Sequence, residues 1–168
     1  MPPDNGLASM KAIPTRTLLQ HYARILDELR SREVITTRDS PVGGYGQWLV
    51  CRAFDALPNP NSSKGFDVLT SDGVRIEVKT RWMAEPDDSR QLGSIRNLDR
   101  GLFDQLAAIL LSEDFGVQEA YLIPHRTIVK LARYVRHTNS MRIVLTPAIC
   151  ADPEVEDITE RVRRALPE

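Results

Sequence analysis

The stretch DVLTSDGVRIEVKTR, residues 67–81, brings together residue types that hold metal ions: Asp67, then nine residues, then Glu77-Val78-Lys79. From Val74 the side chains alternate, with Val74, Ile76 and Val78 on one face and Arg75, Glu77, Lys79 and Arg81 on the other. That is the period-two pattern of a half-buried strand. Whether Asp67 joins the charged face depends on the turn at Asp72-Gly73. A two-residue type I′ turn would set Asp67 opposite Val78, with its carboxylate in the core. A three-residue loop over Ser71-Asp72-Gly73, with Gly73 at positive φ as a G1 bulge, sets Asp67 opposite Glu77 instead, and this is the turn we expect. Directly opposed residues have β-carbons about 4.5–5.5 Å apart, and like charges there repel. Lys79, two residues along the same face, offsets part of that repulsion. A hard divalent cation such as Mg2+, which takes oxygen ligands and commonly one or two carboxylates, would complete the compensation.

The elements that must position these residues follow from periodicity and breakers. Leu18, Leu19, Tyr22, Ile25, Leu26 and Leu29 recur at helical spacing, which predicts an amphipathic helix over 16–32 that packs on the core. A Pro- and Gly-bearing connector, residues 40–46, leads into a second helix over 46–57, and an irregular loop over 58–65 precedes the hairpin. Residues 83–101 are polar and charged, and read as a long loop that orders on substrate. Strands are expected over 103–111, a continuous apolar run suited to a doubly covered central position, and over 118–123. A helix over 125–136 and a C-terminal helix opening at Asp157, with Asp157-Ile158-Thr159-Glu160 as a capping box, complete the pattern. The expected class is α/β, a mixed central sheet flanked by helices. A single domain over 15–168 follows an N-terminal segment, 1–14, expected to be mobile.

The Asp, Glu-x-Lys arrangement on a hairpin after a helix resembles the PD-(D/E)xK nuclease superfamily, whose members share the restriction-endonuclease-like fold. The likeness runs over roughly 18–165, through PVGGYGQWLVCRAFDALPNPNSSKGFDV, the triad hairpin, FDQLAAILL and VQEAYLIP, and is closest to a poorly characterised prokaryotic branch. The resemblance implies that Asp67 and Glu77 bind Mg2+, with the Val78 carbonyl a further ligand and Mn2+ a substitute. It also implies that Lys79 positions or activates the attacking water. The implied activity is endonucleolytic hydrolysis of DNA phosphodiester bonds. One departure stands out: many members carry a Glu on the preceding helix where this chain has Gln47, a neutral and poorer metal ligand. Gln47 is what favours the alternative, a nuclease-like domain without turnover that binds DNA or a protein partner. A third reading is an unrelated α/β protein whose charged hairpin is a solvated edge.

Nucleic-acid contacts are expected from Arg75 and Arg81 on the triad's strand face, and from Arg126, Lys130 and Arg133 as a stripe along the 125–136 helix. No acidic residue falls between Ala120 and Ala151, although the chain's net charge is only −1, short of the basic excess common in nucleic-acid binders. Other chemistries find little support. The histidines His21, His125 and His137 lack zinc spacing, Cys51 and Cys150 stand singly in apolar contexts as buried thiols, and Gly43-Gly44-Tyr45-Gly46 lacks the following Lys-Ser/Thr of a phosphate loop. With 42% hydrophobic residues, no run of transmembrane length and no signal-type apolar core, a cytoplasmic protein is expected, with a homodimer left open.

Overall fold

The computed structural model describes residues 10–60 and 65–166. The predicted mobility of the N-terminal segment falls mostly outside them, as does part of the 58–65 loop. The chain divides into two units, Met1–Pro41 and Val42–Glu168. In the first, a short 3-10 turn, Met10–Ala12, precedes α1, Thr15–Ser31. The predicted apolar stripe of α1 is only partly withdrawn from water: Leu26 is buried, but Leu19, Tyr22 and Ile25 are exposed. Arg38 folds back on this helix and meets Asp27 at 2.6 Å.

The second unit is built on a six-stranded mixed sheet, with α2 (Pro41–Ala53) leading into it. Its strands are β1 (Leu57–Pro58), β2 (Val68–Leu69), β3 (Arg75–Trp82), β4 (Gln105–Leu111), β5 (Val117–Pro124) and, after a separate two-stranded ribbon, β8 (Glu156–Asp157). They lie in the order β1-β2-β3-β4-β5-β8. β3 and β4 run parallel, with Ile76 beside Gln105 and Trp82 beside Leu111, and the other pairs are antiparallel. As its apolar run predicts, β4 is central, and Leu106 to Leu111 are all buried. Between β5 and β8 the chain forms α3 (His125–Leu131), the ribbon of β6 (Arg133–Val135) and β7 (Ser140–Arg142), and α4 (Pro147–Cys150); α5 (Thr159–Arg163) follows β8.

Alternation along the strands feeds two cores. Val68, Ile76, Val78, Ala107 and Ile109 pack with Leu49 and Val50 of α2 and Val162 of α5 on one face. Leu106, Ala108, Leu110 and Ile123 pack with Ile128 of α3 and with Leu92, Ile95 and Leu98 on the other. Helices thus cover both faces, as the α/β reading requires. Among the described residues no helix is long and apolar enough to cross a membrane.

Several expectations are corrected. α2 begins at Pro41 rather than Gly46 and ends at Ala53, after which Leu57–Pro58 pair with β2 instead of continuing the helix. Proline at the first helical position lacks only an N–H that would have had no intrahelical partner. The segment 83–101 is no open loop: Leu92, Ile95 and Leu98 are buried, its backbone bridges Val144 and Met141, and Arg90 forks onto Glu119 of β5 at 2.6 and 2.7 Å. The helix at His125 stops at Leu131 because Ala132 turns to an extended conformation (φ −71°, ψ 142°) and the chain pairs as the β6–β7 ribbon. Asp157 lies in β8, not in a capping box; its Oδ1 accepts from the Thr159 N–H at 2.9 Å, and α5 starts two residues later than expected.

Candidate active site

The hairpin turn is the three-residue kind. Gly73 has φ 86°, its N–H donates to the Thr70 carbonyl at 3.0 Å, and the Thr70 N–H donates to the Val74 carbonyl at 3.1 Å. The Thr70 hydroxyl accepts from the Val74 N–H at 2.9 Å and donates to Asp72 Oδ1 at 2.6 Å, stiffening the loop. β2 and β3 are accordingly in the register this loop demands, Val68 with Ile76 and Leu69 with Arg75.

At Asp67 the ladder departs from that register. The Asp67 N–H donates to the Ile76 carbonyl at 2.9 Å, although Ile76 is already the partner of Val68. Two consecutive residues therefore face one, which is the geometry of a bulge and re-aims the side chain. Along β3 the odd residues bond toward β4, as the Arg75 carbonyl does with the Asp104 N–H and the Met83 N–H with the Leu111 carbonyl. Val78 must then direct its N–H and carbonyl to the opposite edge, beyond the end of β2. The Val78 N–H is satisfied there by Asp67 Oδ2 at 2.8 Å. The Val78 carbonyl lies along the same edge.

Three more side chains meet at this point. Gln47 of α2 donates its amide to Asp67 Oδ1 at 2.8 Å, and Lys79 Nζ sits 2.7 Å from Glu77 Oε1. The Glu77 and Lys79 side chains are only 15% and 21% exposed, so their pairing is shielded from solvent. Burial, and next the neighbouring Glu77 charge, push the Asp67 carboxyl up to about 6, against the opposing pull of the Val78 N–H and Lys79. Cys51, one turn beyond Gln47 on α2, has its thiol raised to about 11, first by burial and then by Asp67. It is half-buried rather than fully buried, and its raised pKa makes it a poor nucleophile.

The placement of Gln47 depends on its neighbour. A β-carbon on Gly46 would lie 1.8 Å from Thr80 Oγ1 and 2.9 Å from Thr80 Cβ, so only glycine lets α2 come this close to β3. The hydroxyl it presses on, Thr80 Oγ1, is buried without a hydrogen-bond partner. Gly93, in the segment that covers the other face, lies near the Lys79 side chain. Periodicity and motif spacing do not single out Gly46, Thr80 or Gly93. The glycine-dense run before Trp48 is the available signal for the first.

Asp67, Glu77, Lys79, Gln47 and the Val78 backbone are thus brought together. The expected phosphate contacts are not gathered with them. Arg75 forks onto Asp104 at 2.7 and 3.0 Å, and Arg81 holds Asp87 and the Ser89 carbonyl. Arg126 and Lys130 share Glu154, at 2.9 and 4.0 Å, and Arg133 sits on β6, so the helical stripe does not exist. Among the described residues no group of three or more His, Cys, Asp or Glu side chains is arranged to hold a metal. The donors present at the hairpin edge are two carboxylates and a backbone carbonyl. That is a fitting set for Mg2+, which keeps several waters, and a cation would offset both the burial and the Glu77 charge that raise the proton affinity of Asp67.

Comparison of the chain with protein-family models and with curated protein sequences finds no match.

Proposed function

We propose that this protein is a metal-dependent nuclease that hydrolyses DNA phosphodiester bonds, with a restriction-endonuclease-like sheet as its scaffold. The observation that carries this reading is the convergence of Asp67, Glu77 and Lys79 at the half-buried end of the β2–β3 hairpin, where proton affinity at Asp67 is raised by burial and by Glu77. A cluster with two opposed carboxylates and one ammonium is costly as mere scaffold, and perturbed groups of this kind concentrate at functional sites. Asp67, Glu77 and the Val78 carbonyl would hold Mg2+ or Mn2+. The bound ion supplies polarisation of the scissile phosphate and acidifies a water. The protein's own groups do the rest. The Val78 N–H and the Gln47 amide fix the rotamer of Asp67, and the Lys79 ammonium, a mobile donor now held by Glu77, orients the water and meets charge developing on the phosphate.

A specific observation favours the second reading, a nuclease-like module without turnover. Gln47 and Lys79 already satisfy one oxygen each of Asp67 and Glu77, a closed set of internal bonds that a cation would have to reopen. Incubation with supercoiled and single-stranded DNA in Mg2+ or Mn2+, beside Lys79→Ala, separates the two. Cleavage by the wild type that is lost in Lys79→Ala supports the enzyme. DNA binding without cleavage selects the module, and neither binding nor cleavage removes both.

A further inference from the structure

We infer that the groove between the turn at 97–101 and the β6–β7 ribbon binds single-stranded DNA, with an unstacked base against Tyr134 and the flanking phosphates on arginines. The groove is a cavity of about 470 Å³. Ile95 and Leu98 contribute its apolar lining, Val129 and Tyr134 line it while remaining 50% and 60% exposed, and Asn97 and Asn139 add amides. Exposed aromatic and aliphatic surface beside paired amides suits a base: one flat apolar face to stack, and donors and acceptors for its edge. The groove is held open by backbone rather than by loops. Ile95 and Met141 exchange both hydrogen bonds, at 2.9 and 2.8 Å, and the Tyr134 hydroxyl is anchored on Asn139 Oδ1 at 3.0 Å.

The surrounding charge is what identifies an anionic ligand. In the second unit, Arg75, Arg81, Arg90, Arg126 and Arg163 each hold a carboxylate. Arg52 and Arg161 lie over the rings of Trp48 and Phe54, and Arg164 ends α5. Of the second unit's described arginines that hold no carboxylate, Arg96, Arg100, Arg133, Arg136 and Arg142 belong to the two segments that build this groove, and Arg52, Arg161 and Arg164 lie elsewhere. Arg133 and Arg142 are cross-strand partners on the ribbon face opposite Tyr134 and Met141, so Arg96 and Arg100, which adjoin the lining residues Asn97 and Asp99, and Arg136 are the cations that remain for phosphates at the groove. Asp99 is the groove's own acid, too little to neutralise this set.

A strand of phosphates with exposed bases meets these features better than a duplex, whose bases are stacked and paired. The groove is close in sequence to the hairpin site. Gly93 borders the Lys79 side chain, and four residues later Asn97 lines the groove, a span of at most about 14 Å. Binding here is independent of the hydrolytic reading, because it needs neither the carboxylates nor turnover.

The test is fluorescence anisotropy of a labelled oligothymidylate with the full chain in EDTA, so that metal-dependent cleavage plays no part. Tyr134→Ala should weaken binding by between about five- and 150-fold, the range for loss of one base-aromatic stack, while Tyr134→Phe keeps most of the affinity. Replacing Arg96, Arg100 and Arg136 together by Gln should flatten the log–log salt dependence by about 0.7 for each phosphate no longer neutralised. An affinity unchanged in Tyr134→Ala overturns the proposal. So does tighter binding of a duplex, or displacement of the oligonucleotide by polyglutamate as readily as by unlabelled oligothymidylate.

Discussion

Replacing Asp67 by Asn removes the charge that burial and Glu77 oppose, and it should make the protein more stable at neutral pH while abolishing any metal-dependent function. The carboxyl is raised from 3.8 to about 6, so the folded state holds a proton more tightly than the unfolded chain does. The stabilisation from that proton is complete below pH ~4, declines as pH rises toward 6 and is gone above it, a total of about 3 kcal/mol at roughly 1.36 kcal/mol per unit. The amide that replaces the carboxylate would keep an oxygen for the Val78 N–H, and a turned Gln47 amide could accept from its nitrogen, but exchanging charge-assisted for neutral bonds costs about 1 kcal/mol. The expected net gain is about 2 kcal/mol at pH 7.5, seen as a melting temperature higher by about 4–8 °C in a chain of this size. Urea unfolding of both proteins at pH 7.5 and pH 4.5 measures it. A variant less stable than wild type at pH 7.5, or a gain that persists undiminished at pH 4.5, would refute the assignment of buried, mutually repelling carboxyls.

Millimolar Mg2+ should raise the wild-type melting temperature and leave that of Asp67→Asn unchanged, reaching about 2.7 kcal/mol at a hundredfold excess over Kd; equal responses in a thermal-shift assay would exclude the pair as ligands. Gln47→Glu should cost about 1.5–3 kcal/mol without metal at pH 8, by replacing a donor on Asp67 with a third carboxylate, and should bind Mg2+ more tightly by calorimetry. In Gly46→Ala the new methyl would meet Thr80, and overpacking of this kind costs roughly 1–3 kcal/mol. Chemical denaturation should return part of that loss in the Gly46→Ala/Thr80→Ala double variant, since the two residues touch.

What could be read in advance was local. Asp72-Gly73 and the alternation from Val74 specify the loop and the register, because both depend on the conformational freedom of one glycine and a period of two. The unbroken apolar run 106–111 marks a strand covered on both faces. The rest was settled by tertiary contacts. Three glycines at 43, 44 and 46 look like a breaker, yet they lie inside α2, where Gly46 is required by closeness to Thr80 and Pro41 opens the helix. Arg126, Lys130 and Arg133 keep helical spacing on paper, but Tyr134 and Val135 prefer extended backbone and pair with Met141 and Ser140. Leu92, Ile95 and Leu98 recur at intervals of three within a polar stretch, and their burial against β4 and β5 is what turned an expected open loop into a covering layer. The bulge at Asp67 left no sequence signal, since it arises where β2 ends and Val78 continues.

The mixed pairing of β3 has a consequence for how the carboxylate pair comes into being. On one side β3 meets β2 across a three-residue loop, a pairing that can form in about 1–10 μs as hairpins do. On the other it pairs in parallel with β4, whose first partner, Gln105, is separated from Ile76 by the whole covering segment, so this pairing carries a large loop-closure cost and forms slowly. In the early hairpin Asp67 and Glu77 are still bathed in water, which screens their repulsion. The repulsion reaches its full strength only when β4 and the 83–101 layer close over the strand. Neutralising Asp67 should then leave the folding limb of the chevron where it is and slow unfolding, so that the site sets the lifetime of the native state and not the speed of its arrival.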